Sequence, residues 1–197
     1  MAMEIRSFRG NTSLGEDGNT LIGFIPYNSF SEDLGGFREI IRPHAFDDCL
    51  ASGADVRCLI NHDGLPLARS KSKTLELTTD AKGLTYRCKL PDTSTARDLK
   101  ECLKRGDIDG SSFGFDVPQG GAVIRREGDK VIRELHKIDL ADVSVVTYPA
   151  YPSSGADLRT LELRSLESVK TSIDTFLKQE QSDLDLKQKT LLLKAKA

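Results

Sequence analysis

No apolar run in this sequence approaches the roughly 20 residues that span a bilayer, so no membrane partner is expected. The N-terminal segment MAMEIRSFRG has no apolar h-region, and a signal peptide is not expected either. An excess of one charge sign is also missing: 28 Lys and Arg stand against 30 Asp and Glu, a formal net charge of -2. Such a balance exerts no general pull toward nucleic acid or anionic lipid, so nucleic acid is not an expected partner. The four cysteines, Cys49, Cys58, Cys88 and Cys102, form no CxxC pair. Without a secretory signal they read as reduced thiols in a cytoplasmic compartment, and Cys58 and Cys88, inside apolar runs, as small hydrophobes. No histidine lies near paired thiols or carboxylates at ligand spacing, so no metal site and no cofactor are expected.

What the chain does contain is enough length, 197 residues, for one domain of ordinary size and an appendage. Up to residue 155 it reads as short strands between turn signals: Met3 to Arg9, Thr20 to Tyr27, Val56 to Ile60, Thr74 to Leu77, Leu84 to Leu90, Ala122 to Arg126, Lys130 to Leu135 and Asp142 to Thr147. Asp80 to Gly83 and Glu127-Gly128-Asp129 are hairpin turns, and Asn11 to Asn19 is a polar loop. Two helices interrupt the strands, His44 to Ala51 after Pro43, and Ser94 to Lys104 between a Thr93 or Ser94 cap and Gly106. Many strands with few helices predict a mainly β, α+β fold: an antiparallel barrel or sandwich flanked by short helices. From Ala156 to Ala197 there is no Gly, Pro, Cys or His, and Leu163, Leu166, Val169, Ile173, Phe176 and Leu177 recur at helical spacing. The domains are thus 1–155, a β domain, and 156–197, an amphipathic helical tail. The tail either packs on its own domain or docks another protein and is later removed.

Three segments could carry chemistry. In the strand Gly110-Ser111-Ser112-Phe113-Gly114-Phe115, parity sends Ser111, Phe113 and Phe115 one way and Ser112 and Gly114 the other. The phenylalanines claim the core, which leaves Ser112 on an accessible face beside a glycine where a substrate backbone could approach. In Asp142-Val143-Ser144-Val145 the valines face the core, so Asp142 and Ser144 project to the other side, where a buried acid needs a partner. His62 follows the apolar run Val56 to Ile60, at a strand end entering a turn, and is better placed than His44, before a helix, or His136, in a charged strand. Each residue also has a plain structural reading, as a strand-surface serine, an edge-strand charge and a turn histidine. Together they could form a nucleophile, a base and the group that orients the base.

Four segments carry a resemblance to a known family. Phe37 to Leu50 (FREIIRPHAFDDCL), Cys58 to Leu67 (CLINHDGLPL), Leu75 to Phe115 ending in Ser-Phe-Gly-Phe, and Leu140 to Tyr151 (LADVSVVTYPAY) resemble, in order, the prohead proteases of HK97-like tailed phages. His44 stands where that family usually has glycine, and Asp142 where it usually has an acid, often glutamate. The resemblance implies His62 as general base, Ser112 as nucleophile, Asp142 as the orienting acid, and a small β-barrel flanked by helices, related to the herpesvirus assemblin proteases. It implies a serine endopeptidase that often dimerises and acts in the host cytoplasm inside the immature prohead. Its substrates would be the scaffolding segment of the major capsid protein, which is also its docking partner, and itself. Arg125 or Arg126 could assist backbone N–H groups in holding an oxyanion. The alternative is a non-enzymatic capsid-assembly or scaffold adaptor with the same fold, and no cysteine occupies a position comparable with Ser112.

Overall fold

The computed structural model describes residues 3–147 and helix 156–194, with the side chains of that helix described over 166–191 apart from 168. In chain order the elements are β1 (Glu4–Phe8), β2 (Thr12–Leu14), β3 (Thr20–Pro26), β4 (Phe37–Ile41), α1 (Asp47–Ala51), β5 (Arg57–Ile60), β6 (Asp63–Arg69), β7 (Leu75–Thr79), β8 (Gly83–Lys89), α2 (Ser94–Arg105), β9 (Gly110–Asp116), β10 (Ala122–Glu127), β11 (Lys130–Leu135), β12 (Asp139–Val146) and α3 (Ala156–Lys194). Apolar and β-branched alternation builds the strands, and the local signals close several of them. Asp80 Oδ1 accepts from the Lys82 and Gly83 amides to turn β7 into β8. Thr93 caps α2 by accepting from the Ala96 amide, and Gly106, at φ 76°, ends it in the left-handed conformation.

The strands form a five-stranded sheet in the order β1-β9-β12-β5-β6, a four-stranded sheet β2-β3-β8-β7 and a three-stranded sheet β10-β11-β4. None of these closes into a barrel, and the arrangement is not purely antiparallel, which corrects the expected antiparallel barrel. Closure needs the two edge strands of a sheet to pair, and here β1 and β6 remain edges. The expectation assumed that strands pair with sequence neighbours, which holds for β5–β6, β7–β8 and β10–β11. It fails where β12 returns beside β5 and β11 beside β4, both in parallel. Parallel neighbours require long crossover connections, and these divide the strands into separate sheets. The sheets share one core, in which Leu21, Ile25, Cys58, Leu84, Tyr86, Phe113, Phe115, Val143 and Val145 are buried together.

Four further details depart from the expectations. The short helix begins at Asp47, not His44, because His44 at φ 69° lies outside right-handed helical space. Strand β6 runs through Pro66 as an edge strand, where a proline can be tolerated. The polar loop contains the short strand β2, which pairs with β3, and Phe37–Ile41 is strand β4. All four cysteines are free. The tail stripe is partnered by the chain itself over part of its length: Leu166, Val169 and Ile173 pack on Phe37 of β4 and Val131 of β11, with Leu177 at the margin. Leu163 lies outside the described side chains.

Candidate active site

The site grows from the parity of β9. On its core face Phe113 and Phe115 stack with centroids 4.7 Å apart, and the Ser111 hydroxyl lies 2.9 Å from the buried Tyr86 hydroxyl. Tyr86 fits because Gly23 on the neighbouring strand has no side chain, and a Cβ there would collide with the Tyr86 ring. Ser112 and Gly114 therefore face the opposite side. They are not open, as the sequence suggested: Ser112 is 0% exposed. Strands β1 and β12 flank it, and it lies in a row with Ser7 and Ser144, its Cα partners on those strands. The Ser7 hydroxyl donates to Ser112 Oγ at 3.1 Å. Nor is the space over Gly114 left for a substrate backbone. A Cβ there would meet the Asp142 carboxylate and the Met3 thioether, so this glycine makes room for the acid.

Asp142 reaches that space through a break in β12. Leu140 pairs with Phe115 and Asp142 with Gly114, so Ala141 is an extra residue, a β-bulge. Without it, Leu140 and Asp142, two apart, would share a face. With it, Leu140, Val143 and Val145 all enter the core, while Asp142 and Ser144 turn to the Ser112 side.

His62 comes from the turn between β5 and β6. Ile60 pairs with Asp63, so Asn61-His62 is a two-residue hairpin loop, and both residues have positive φ, 53° and 60°. This is the type I′ shape that twists with the strands and ordinarily takes Asn-Gly. A histidine at its second position stores backbone strain, and such strain gathers at functional sites. The turn is held down by the Asn61 amide donating to the Val145 carbonyl at 2.9 Å and by the Thr147 amide donating to Asn61 Oδ1 at 3.0 Å.

So placed, His62 Nδ1 lies 2.7 Å from Asp142 Oδ1 and Nε2 lies 2.6 Å from Ser112 Oγ. The carboxylate assigns the Nδ1 proton, which leaves Nε2 as an acceptor facing the hydroxyl. The aspartate, though a methylene shorter than glutamate, leaves no gap. Ser112 has one proton and two acceptors, His62 Nε2 and the Arg6 carbonyl at 2.9 Å, so these compete for it. Such an arrangement can activate a hydroxyl for attack on a carbonyl carbon.

The structure brings together His62, Ser112 and Asp142, and it does not bring the other candidates to them. His44 is exposed and bonds Asp47, and His136 bonds Glu134. Arg125 and Arg126 lie on β10, in a different sheet, paired with Glu127, Glu134 and Glu180. Sequence reasoning gave no role to Ser7, Ser144 or the Arg6 carbonyl, which complete the polar surroundings. For Ser144 a signal existed, its parity with Asp142; for Ser7 only the pairing of β1 with β9 reveals it. Behind Arg6 lies a buried ionic quartet. Arg6 and Arg133 alternate with Glu4 and Glu39 at 2.6 to 3.1 Å, joining β1 to β4 and β11. Burial opposes the Arg133 charge, and its bonds to Glu4 and Glu39 outweigh that, so its pKa rises. Among the described residues no group of three or more His, Cys, Asp or Glu side chains could hold a metal ion.

Known proteins resemble this chain over most of its length. A profile described as caudovirus prohead serine protease matches residues 6–172. The chain is 30% identical over 153 residues to the prohead protease of Enterobacteria phage HK97, a stretch that covers 77% of this chain and 64% of that protein. It thus spans less than two thirds of that relative's length. No solved structure matches. With the profile covering most of its length, the chain belongs to the caudovirus prohead serine proteases.

Proposed function

We propose that this chain is a serine endopeptidase of phage capsid maturation in which Ser112 is the nucleophile, His62 the general base and Asp142 the residue that orients the base. The observation that carries this reading is the unbroken chain Ser112 Oγ–His62 Nε2, His62 Nδ1–Asp142 Oδ1, at 2.6 and 2.7 Å, assembled from two strands and a strained turn. Ser112 Oγ attacks the peptide carbonyl carbon as its proton passes to Nε2. The tetrahedral intermediate collapses, the C–N bond breaks, and Nε2–H protonates the leaving amine. Water then attacks the Ser112 ester with His62 again as base, returning the proton to Ser112. Asp142 stays ionised throughout and stabilises the imidazolium through Nδ1–H.

The family supports substrates within the prohead: the scaffolding segment of the major capsid protein, and the protease itself. The tail, 156–197, serves in this reading as the docking segment. Its first described apolar residues are held by β4 and β11, while Leu184, Leu186 and Leu191 are 48%, 65% and 67% exposed and free to meet scaffold. Self-cleavage between the two segments would release the enzyme, and pairing into dimers fits the same resemblance.

The test is the intact mass of the full chain over time, alone and co-expressed with its cognate capsid protein, for wild type and Ser112→Ala. Shortening of either protein by wild type and not by Ser112→Ala is the expected result. Identical masses in all conditions would leave the adaptor reading in its place.

A further inference from the structure

We propose that Ser144 is a positioning residue of this site, its hydroxyl holding the Asp142–His62 pair in the geometry that activates Ser112. The inference rests on the serine protease reading above and adds a member to it. Ser144 Oγ donates to Asp142 Oδ1 at 2.8 Å, the same oxygen that accepts from His62 Nδ1, and lies 3.3 Å from Nδ1 itself. Oxygen, nitrogen and carboxylate thus form a small closed triangle. The single hydroxyl proton points to the carboxylate, so a lone pair of Oγ faces the Nδ1–H.

A buried serine often bonds a nearby carboxylate only to satisfy itself, and four observations go further. Ser144 is 0% exposed, so water cannot take over its contact with Oδ1. It is the direct Cα partner of Ser112 on the adjacent strand, which places it under the imidazole that bridges them. Its own strand is fixed from behind by the Tyr86 hydroxyl, which reaches the Ser144 carbonyl at 3.4 Å. The Ala141 bulge turns Asp142 and Ser144 to the site together, so the acid and the group that fixes its rotamer arrive as one unit.

Chemically, Asp142 must keep Oδ1 in line with Nδ1–H while His62 cycles between imidazole and imidazolium. A short acid side chain with one free torsion after Cβ can swing Oδ2 into that position or tilt away. The Ser144 hydroxyl removes this freedom by occupying a second lone pair of Oδ1. Losing it misplaces the imidazole by a fraction of an ångström, enough to slow the activation of Ser112 by about 10- to 100-fold.

The experiment uses the full chain and a fluorophosphonate probe, which reports the reactivity of a nucleophilic serine by forming an O–P bond with loss of fluoride. Wild type, Ser144→Ala, Ser144→Thr and Ser112→Ala are compared for labelling at Ser112, resolved into saturation and first-order steps. In parallel the His62 Nδ1 proton is followed by NMR in 15N-histidine-labelled protein. The expected result is a first-order step slowed about 10- to 100-fold in Ser144→Ala at unchanged half-saturation, with Ser144→Thr near wild type. The Nδ1 proton resonance should be shifted or lost to exchange in Ser144→Ala and kept in Ser144→Thr. Equal labelling of wild type and Ser144→Ala, equal slowing in both Ser144 variants, or an unchanged resonance in Ser144→Ala would each overturn the role of Ser144. Absence of Ser112 labelling in wild type would instead count against the protease reading, and the NMR comparison would then decide Ser144 alone.

Discussion

The Asp142 carboxylate lies where the side chain of any residue but glycine at position 114 would have to go. Gly114→Ala is therefore expected to push the acid off the His62 ring and to strain a filled site, lowering stability by about 1–3 kcal/mol. Probe labelling of Ser112 should fall with it, and a urea midpoint together with a labelling rate would check both. The opposite sign is expected at His44. Its φ of 69° lies in the left-handed region that favours glycine, and its exposed ring bonds Asp47. Replacing it with glycine relieves the left-handed strain at some cost in chain entropy, for a net gain of about 0.5–1 kcal/mol in thermal unfolding. At this scale much was legible. The two phenylalanines of β9 and the two valines of β12 reveal which side Ser112 and Asp142 take, because a buried aromatic or β-branched residue leaves its neighbours no choice of face. What the same logic could not reveal was enclosure. Parity separates the two faces of a strand, and the far face of β9 is covered by Met3, Ser7 and the His62 turn, which arrive from distant segments.

Between elements, the site depends on two irregularities that strand periodicity conceals. A sequence with Leu140 and Asp142 two residues apart reads as a strand that puts both on one face, and only the pairing with Phe115 and Gly114 exposes Ala141 as the extra residue. The Asn61-His62 turn is hidden for a different reason: glycine is the usual mark of that turn, and histidine stands in its place. Deleting Ala141 restores a regular ladder. Either Leu140 leaves the core or Asp142 enters it beside Phe113 without its histidine, and an unpartnered buried charge costs on the order of 3–5 kcal/mol. The deletion variant is expected to unfold at markedly lower urea and to lose Ser112 labelling entirely.

Across the whole molecule, ionic contacts join what hydrogen-bonded ladders leave separate. Glu134 of β11 meets Arg42 after β4, Arg125 of β10 and His136. The Arg42 hydrogen bond leads the effects that bring its carboxyl from an ordinary 4.5 to about 2, against the pull of burial. A carboxyl whose folded pKa lies below its unfolded one contributes stability above the unfolded value and loses it as pH falls through the folded one. Glu134→Gln should therefore be less stable than wild type at neutral pH, and the gap should close between about pH 5 and pH 2. Urea midpoints across that range would show it. The topology that sets these contacts was the least legible part of the chain. Nothing in the composition of β5 and β12, or of β4 and β11, marks them as parallel partners, and parallel pairing across long crossovers is what opens the expected barrel into sheets. The ionic quartet of Glu4, Arg6, Glu39 and Arg133 then ties the five-stranded sheet to the three-stranded one, and the carbonyl of Arg6 is the group that competes with His62 for the Ser112 proton. Removing Glu39 leaves two buried guanidiniums with one carboxylate between them, so Glu39→Ala should cost about 3–5 kcal/mol. Replacing a matched pair leaves no orphan charge: Glu39→Leu with Arg133→Met is expected to restore most of that loss, because each remaining member keeps a partner, Arg6 with Glu4. If β1 is held in place by the quartet, Ser112 labelling should fall in the single variant and recover in the double one, in step with the denaturation midpoints. A labelling rate indifferent to both changes would mean that β1 is anchored to β9 by its ladder alone.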